Sequence, residues 1–237
     1  SDFGRRAFRR PVPMDEVKSY LSFLDIAKAG GDDFEQGLSL ALTAMLTSPH
    51  FLFRVELDPD PRSPRPHRLS DHELASRLSY FLWSSMPDEP LLKAASDGSL
   101  LRDPVLSAHV ARMLADPRSS AFIDNFSGQW LQLRGLARVA IDRDAFPQYT
   151  DELRTDLAAE AVAFFGDVLR SQRSVLEFLD SRETFLNARL AEYYGLPALQ
   201  GDNLRRVALP PGSPRGGVLT MGAVLTLTSN PARTSPV

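Results

Sequence analysis

The sequence predicts an all-α protein: a bundle-like array of about eight to ten helices, with helical hairpins and an irregular C-terminal segment. Three observations carry that expectation. Ser70 and Glu73 form a capping box ahead of an apolar-periodic stretch. Apolar residues recur three and four apart in most of the chain between its glycine and proline breaks. Those breaks fall where helices should stop rather than at the even spacing of short strands.

In chain order, Pro13 suits a first helical turn, and Val17, Tyr20, Leu21 and Leu24 continue a helix that stops before Gly30-Gly31. Asp32 with Glu35 reads as the next cap, and Phe34, Leu38, Ala41, Leu42, Met45 and Leu46 carry a second helix to Pro49. The short glycine turn between them predicts an antiparallel hairpin. His50 to Glu56 fits either an extended piece or one helical turn, and the proline-rich stretch 58–68 reads as a surface loop and a candidate boundary.

Leu69 to Leu92 is the best-marked stretch. Leu69 and Leu74 are placed as a hydrophobic staple, Leu74, Leu78, Phe81 and Leu82 define an apolar face, and Glu73 and Arg77 are spaced for an ion pair. Two readings stand here: a core helix, or a helix whose Arg77, Tyr80 and Trp83 line a ligand cleft. Asp88 caps a short helix ending near Gly98, and Asp103-Pro104 starts another. Phe122, Phe126 and Trp130 repeat every four residues from about Ser119 to Leu133. Trp130 beside Gln129 and Gln132 suits a sugar, by stacking and amide hydrogen bonds, as well as an ordinary core. Residues 135–148 read as irregular. Thr150 caps the longest helix, in which Leu153, Leu157, Ala161, Phe164 and Val168 recur about every four residues. Val175 to Leu179 is a short helix, and Asn187 caps another that Gly195 stops. Arg205 to Leu209 reads as extended, 218–227 as helix or strand with helix favoured, and Thr228 to Pro236 as a polar loop. The domain organisation expected is a hairpin domain at 1–57, a central helical domain at 69–200, and the start of a truncated C-terminal domain at 201–237.

Composition bounds the function. Hydrophobic residues make up 43% and charged residues 24%, ordinary globular usage, and a net charge of −3 gives no electrostatic case for nucleic acid. No apolar run approaches the ~20 residues of a transmembrane helix, and SDFGRRAFRRPVP carries no signal-peptide core. The absence of Cys excludes disulfides, thiolate zinc sites and covalent c-type haem within this chain.

Several stretches together resemble one family: FGRRAFRRPV, LASRLSYFLWSSMPDEPLL, DNFSGQWLQLR, TFLNARLAEYYGL and RGGVLTMGAVLTLTSNPARTSPV. They are similar to large exported bacterial proteins built from consecutive domains of unknown function, often beside a c-type cytochrome module. The resemblance implies an exported or periplasmic location and neighbouring domains of a longer chain as partners. It also implies a chain that continues past Val237. Any haem would sit in a neighbouring module, since no Cys-x-x-Cys-His occurs here. The family supplies no activity to carry over.

Catalytic signatures are sparse. No HExxH, GxSxG, P-loop or GxGxxG occurs. His67, Asp71 and His72 are weak metal candidates at a helix start. Arg233, flanked by Thr228, Asn230, Thr234 and Ser235, offers a guanidinium fork with hydroxyl and amide groups, suited to an anion or sugar or to pinning the loop. The functional expectation is a non-catalytic structural domain, or one that binds a ligand or partner. The alternatives are a redox-linked enzyme domain acting on a complex carbohydrate or other small substrate, and a plain spacer.

Overall fold

A computed structural model describes residues 2–58, 60–62, 65–230 and 233–234, with backbone alone at 230, 233 and 234. The chain packs into two compact units, Ser1–Ser119 and Ser120–Val237. The proline-rich segment 58–68 lies inside the first unit.

The first unit contains α1 (Asp2–Phe8), α2 (Met14–Ala29), α3 (Phe34–Leu46), α4 (Pro49–Leu52), α5 (Asp71–Trp83), α6 (Glu89–Ser96) and α7 (Asp103–Ala115). Helices α2 and α3 form the expected hairpin. Its cap is Asp33 with Gln36, one residue later than the sequence suggests: Asp33 accepts from the Gln36 amide and the Gln36 side chain accepts from the Asp33 amide. Asp32 instead closes the preceding turn, its amide bonding to the Ala27 carbonyl. The stretch after Ser48 is one helical turn, Pro49–Leu52, ended by Phe53 in an extended conformation and followed by a segment in neither helix nor strand.

Helix α5 has the expected capping box at Ser70 and Glu73. Its buried face differs from the expected one. Ala75, Ser79, Leu82 and Trp83 are buried, while Phe81 is 59% exposed. Helix α5 packs on α6 and α7. It ends at Ser84, which takes the left-handed conformation. Trp83 then turns inward: its ring nitrogen donates to the Met113 carbonyl at 3.0 Å, and the Arg118 and Arg112 guanidiniums lie 3.5 and 5.5 Å from its ring centre.

Asp88 joins these elements. It caps α6 by accepting from the Leu91 amide and binds Arg112 through both oxygens, at 2.6 and 3.1 Å. Burial pushes its carboxyl up, but the Arg112 hydrogen bonds, the Leu91 amide and the charges of Arg112 and Arg118 outweigh burial and hold it below the usual carboxylate value. Asp88→Ala is expected to cost about 1–2 kcal/mol in urea denaturation, whereas Asp88→Asn, which keeps the cap, recovers most of that loss. Equal losses for the two variants would show that the cap contributes nothing. At α7 the cap position is Arg102, which makes no side-chain cap bond, and Asp103 is already helical.

The second unit is built on α9 (Asp151–Arg170), packed by α8 (Ser120–Trp130), β1 (Glu183–Leu186), α10 (Ala188–Tyr193) and α11 (Gly222–Thr228). Strand β1 pairs antiparallel with β2 (Arg205–Ala208), Glu183 opposite Ala208 and Leu186 opposite Arg205. The four-residue period in α9 is its buried stripe: Leu153, Leu157, Ala161, Phe164 and Val168 are all core, joined by Leu186, Leu190, Ala191, Val218, Met221 and Ala223. Thr150 and Asn187 cap α9 and α10 as the sequence suggests. The ambiguous stretch 218–227 is helical, a 3-10 turn at Val218–Thr220 followed by α11. Beyond it, β3 (Ser229–Asn230) pairs with β4 (Arg233–Thr234), where the sequence suggests only a loop.

Candidate functional site

The first unit holds a cleft of about 600 Å³, in the size range of small-molecule sites. Three pieces of chain build it: the end of α1, the segment after α4, and the first two turns of α5. Arg9 organises it. This residue sits just after α1 with φ 59°, a left-handed position more often filled by glycine. It is 6% exposed, and its guanidinium donates to the carbonyls of His50 and Phe53 at 2.7 Å, to that of Phe51 at 3.3 Å and to the Tyr80 hydroxyl at 3.4 Å. Those carbonyls belong to the C-terminal end of α4, where the helix dipole favours a cation. Arg9 thereby fixes the backbone that carries Arg54, Val55 and Glu56 into the cleft wall.

The opposite wall is α5. Arg77 lies in the cleft and pairs with Glu56 through two hydrogen bonds of 2.7 and 2.6 Å. The expected pairing with Glu73 gives way, because Glu73 turns back to accept from the Ser70 amide and hydroxyl and from the Leu57 amide. These bonds outweigh the effect of burial and hold the Glu73 carboxyl below its usual value. His72 also faces the cleft, bonded to Ser96 at 3.3 Å, and burial lowers its affinity for a proton. Tyr80 backs the cleft, with the Arg9 and Arg54 guanidiniums 5.7 and 5.2 Å from its ring centre.

The remaining sequence candidates are distributed as follows. Trp83 is 3% exposed and part of the first unit's core. His67 sits 3.5 Å from Asp58, and Asp71 accepts from the Leu101 amide. Among the described residues no group of three or more His, Cys, Asp or Glu converges as a metal would require. In the second unit, Gln129 is exposed and Trp130 is 46% exposed, in a cluster with Phe126, Phe165 and Phe178. Asn230, Arg233 and Thr234 are placed by backbone only, and Ser235 lies outside the described residues.

The second unit contains a polar cluster that sequence reasoning missed. Glu160 on α9 is 2% exposed. Its two oxygens accept from the Thr184 hydroxyl at 2.6 Å and the Tyr194 hydroxyl at 2.5 Å, and the Tyr194 oxygen accepts from the Gly222 amide at 2.9 Å. Arg215 lies 3.7 Å from the centre of the Tyr194 ring and donates to the Thr220 carbonyl. Burial pushes the Glu160 carboxyl up to about 7, against the opposing pull of Thr184, Tyr194 and Arg215. Burial and the neighbouring Glu160 push the Tyr194 hydroxyl up. The signal was available: Glu160 falls three residues after Leu157 and four before Phe164, on the apolar face. The cavity beside it is about 10 Å³, the space of roughly one water.

Residues 69–196 match the family model of PSD4, Protein of unknown function (DUF1592), and residues 1–56 match that of PSD5, Protein of unknown function (DUF1595). No curated protein and no solved structure matches the chain. With more than half of its length covered by the first of these, the chain belongs to the PSD4 (DUF1592) family of proteins of unknown function, carrying a DUF1595 segment ahead of it.

Proposed function

We propose that this chain is a non-catalytic ligand-binding module of an exported, multidomain protein whose neighbouring modules carry c-type haem. The observation that supports it is the cleft of about 600 Å³ in the first unit, with Arg54, Arg77, His50 and His72 on its walls. The exported, haem-associated setting is supported by the resemblance carried by FGRRAFRRPV and RGGVLTMGAVLTLTSNPARTSPV. Exposed Trp130 and Gln129 on α8 form a second candidate contact, for a sugar or a neighbouring domain. The enzyme alternative calls for a deep pocket with convergent polar groups and a perturbed carboxyl or His. Glu160 is such a carboxyl, but its cavity has no room for a substrate, whereas His72 and Glu73, both shifted downward, line the cleft itself.

The test is a thermal-shift screen of this chain against oligosaccharides, anions, metals and a separately produced haem module. A ligand binding only the folded state adds about 2.7 kcal/mol at a hundredfold excess over Kd. One class is expected to raise the Tm of the wild type but not of Ser76→Trp, which fills the cleft from α5. No shift with any class, or an equal shift in the filled variant, would remove the cleft from consideration.

A further inference from the structure

We infer that the cleft is an oxyanion site: it takes a small molecule bearing a carboxylate or phosphate, and Arg54 is the residue that grips it. The inference rests on reading the cleft as a binding site and names the chemistry of its ligand.

Charge accounting within the cleft carries it. Four arginines line the cleft against two glutamates. Arg77 is neutralised by Glu56, and Arg10 by Glu16 from α2, at 2.9 and 3.0 Å. The carboxylate of Glu73 is occupied by backbone amides and a hydroxyl. Arg9 and Arg54 are left: among the described residues neither meets a carboxylate, and both lie against Tyr80. A cation as buried as Arg9 that is held by carbonyls and a hydroxyl keeps its net charge, which those dipoles offset only in part, and low-dielectric walls project the remainder into the cleft.

The two arginines divide the work. Arg9 has both terminal nitrogens committed to protein acceptors, so it contributes field and geometry. Arg54 is exposed, and its only described partner is the Tyr80 ring, so its planar fork is free to meet two oxygens of a carboxylate or phosphate. Arg9 holds the carbonyl of Phe53, the residue before Arg54, which fixes where that fork begins. Phe8, Val55 and Leu57 supply an apolar wall for the rest of the ligand.

The test is calorimetric titration of the whole chain at low ionic strength with galacturonate, glucose 6-phosphate and neutral glucose. Arg54→Gln is compared with Lys18→Gln, the same charge change on α2, outside the residues that line the cleft. At least one anionic sugar is expected to bind more tightly than glucose. Arg54→Gln should weaken it by about tenfold to a hundredfold, while Lys18→Gln leaves it unchanged. The stronger of the two anions identifies carboxylate or phosphate as the group preferred. Glucose binding as well as either anion, or anion binding that survives Arg54→Gln, would overturn the oxyanion site and leave the cleft standing. No binding of either anion would likewise overturn the oxyanion site, and if the broader ligand screen also gave no shift, the cleft would fall with it.

Discussion

Gly217→Ala is expected to be among the most damaging single-methyl changes in the chain, lowering the stability of the second unit by about 3–5 kcal/mol. Gly217 has φ 66° and ψ −176°, a conformation essentially confined to glycine. A Cβ there would also stand 2.5 Å from the Phe178 carbonyl oxygen and 2.6 Å from the Leu179 carbonyl carbon, both backbone atoms that cannot swing away. Gly212 is the control. It too has positive φ, at 77°, but nothing lies within 4 Å of its Cβ position, so Gly212→Ala should cost about 1 kcal/mol, the conformational part alone. Urea denaturation of the two variants separates the contributions. Similar losses in both would mean that the backbone of 178–179 yields.

Glu160 governs the second large effect, which is pH-dependent. Its carboxyl titrates at about 7 in the folded protein against 4.5 when exposed, so between those values the folded state holds a proton that the unfolded state has lost. Stability from this group is therefore full below pH 4.5, falls as pH rises toward 7, and is flat above; the total is about 3 kcal/mol. Glu160→Gln, which cannot titrate, should flatten the curve in that window while keeping an oxygen and an amide for Thr184 and Tyr194. Glu160→Leu, which does not titrate either, should lower stability by about 2–4 kcal/mol below pH 4.5, because two buried hydroxyls lose their acceptor, and its gap to the wild type should narrow as pH rises to 7. Denaturation midpoints below pH 4.5 and above pH 7 for all three proteins decide it. A wild-type curve parallel to that of the glutamine variant would show that Glu160 does not titrate in the window.

Short-range chemistry was legible in the sequence. The caps at Ser70, Asp88, Thr150 and Asn187 depend on residues three or four apart, and the α9 stripe is a single periodic run, so both could be read without knowing what packs against them. What depended on distant partners was not. Arg77 finds Glu56, twenty-one positions back across the proline-rich segment, in place of the nearby Glu73. Strand β1 has only four residues and is defined by a partner beyond α10. The buried face of α5 follows Ala75 and Ser79, small residues that a hydrophobic pattern passes over in favour of Phe81. The cleft follows the same rule. Its key cation, Arg9, is one of four arginines between Phe3 and Arg10, nothing in that run marks it as buried, and the meeting of α1 with α4 places it.

The bond from the Gly222 amide to the Tyr194 hydroxyl has a consequence for how such proteins can be rearranged. The DUF1592 match runs from 69 to 196. It begins inside one compact unit, ends inside the other, and stops short of Arg215 and Gly222, which complete the surroundings of Tyr194 and Glu160. The stretch that the family model matches is thus not the stretch that packs as one compact unit. A splice that followed the family boundary would strand a carboxyl group and a tyrosine in an opened core. One that respected the second unit would have to carry everything from Ser120 through α11, so the family match and the compact unit draw different borders on the same chain.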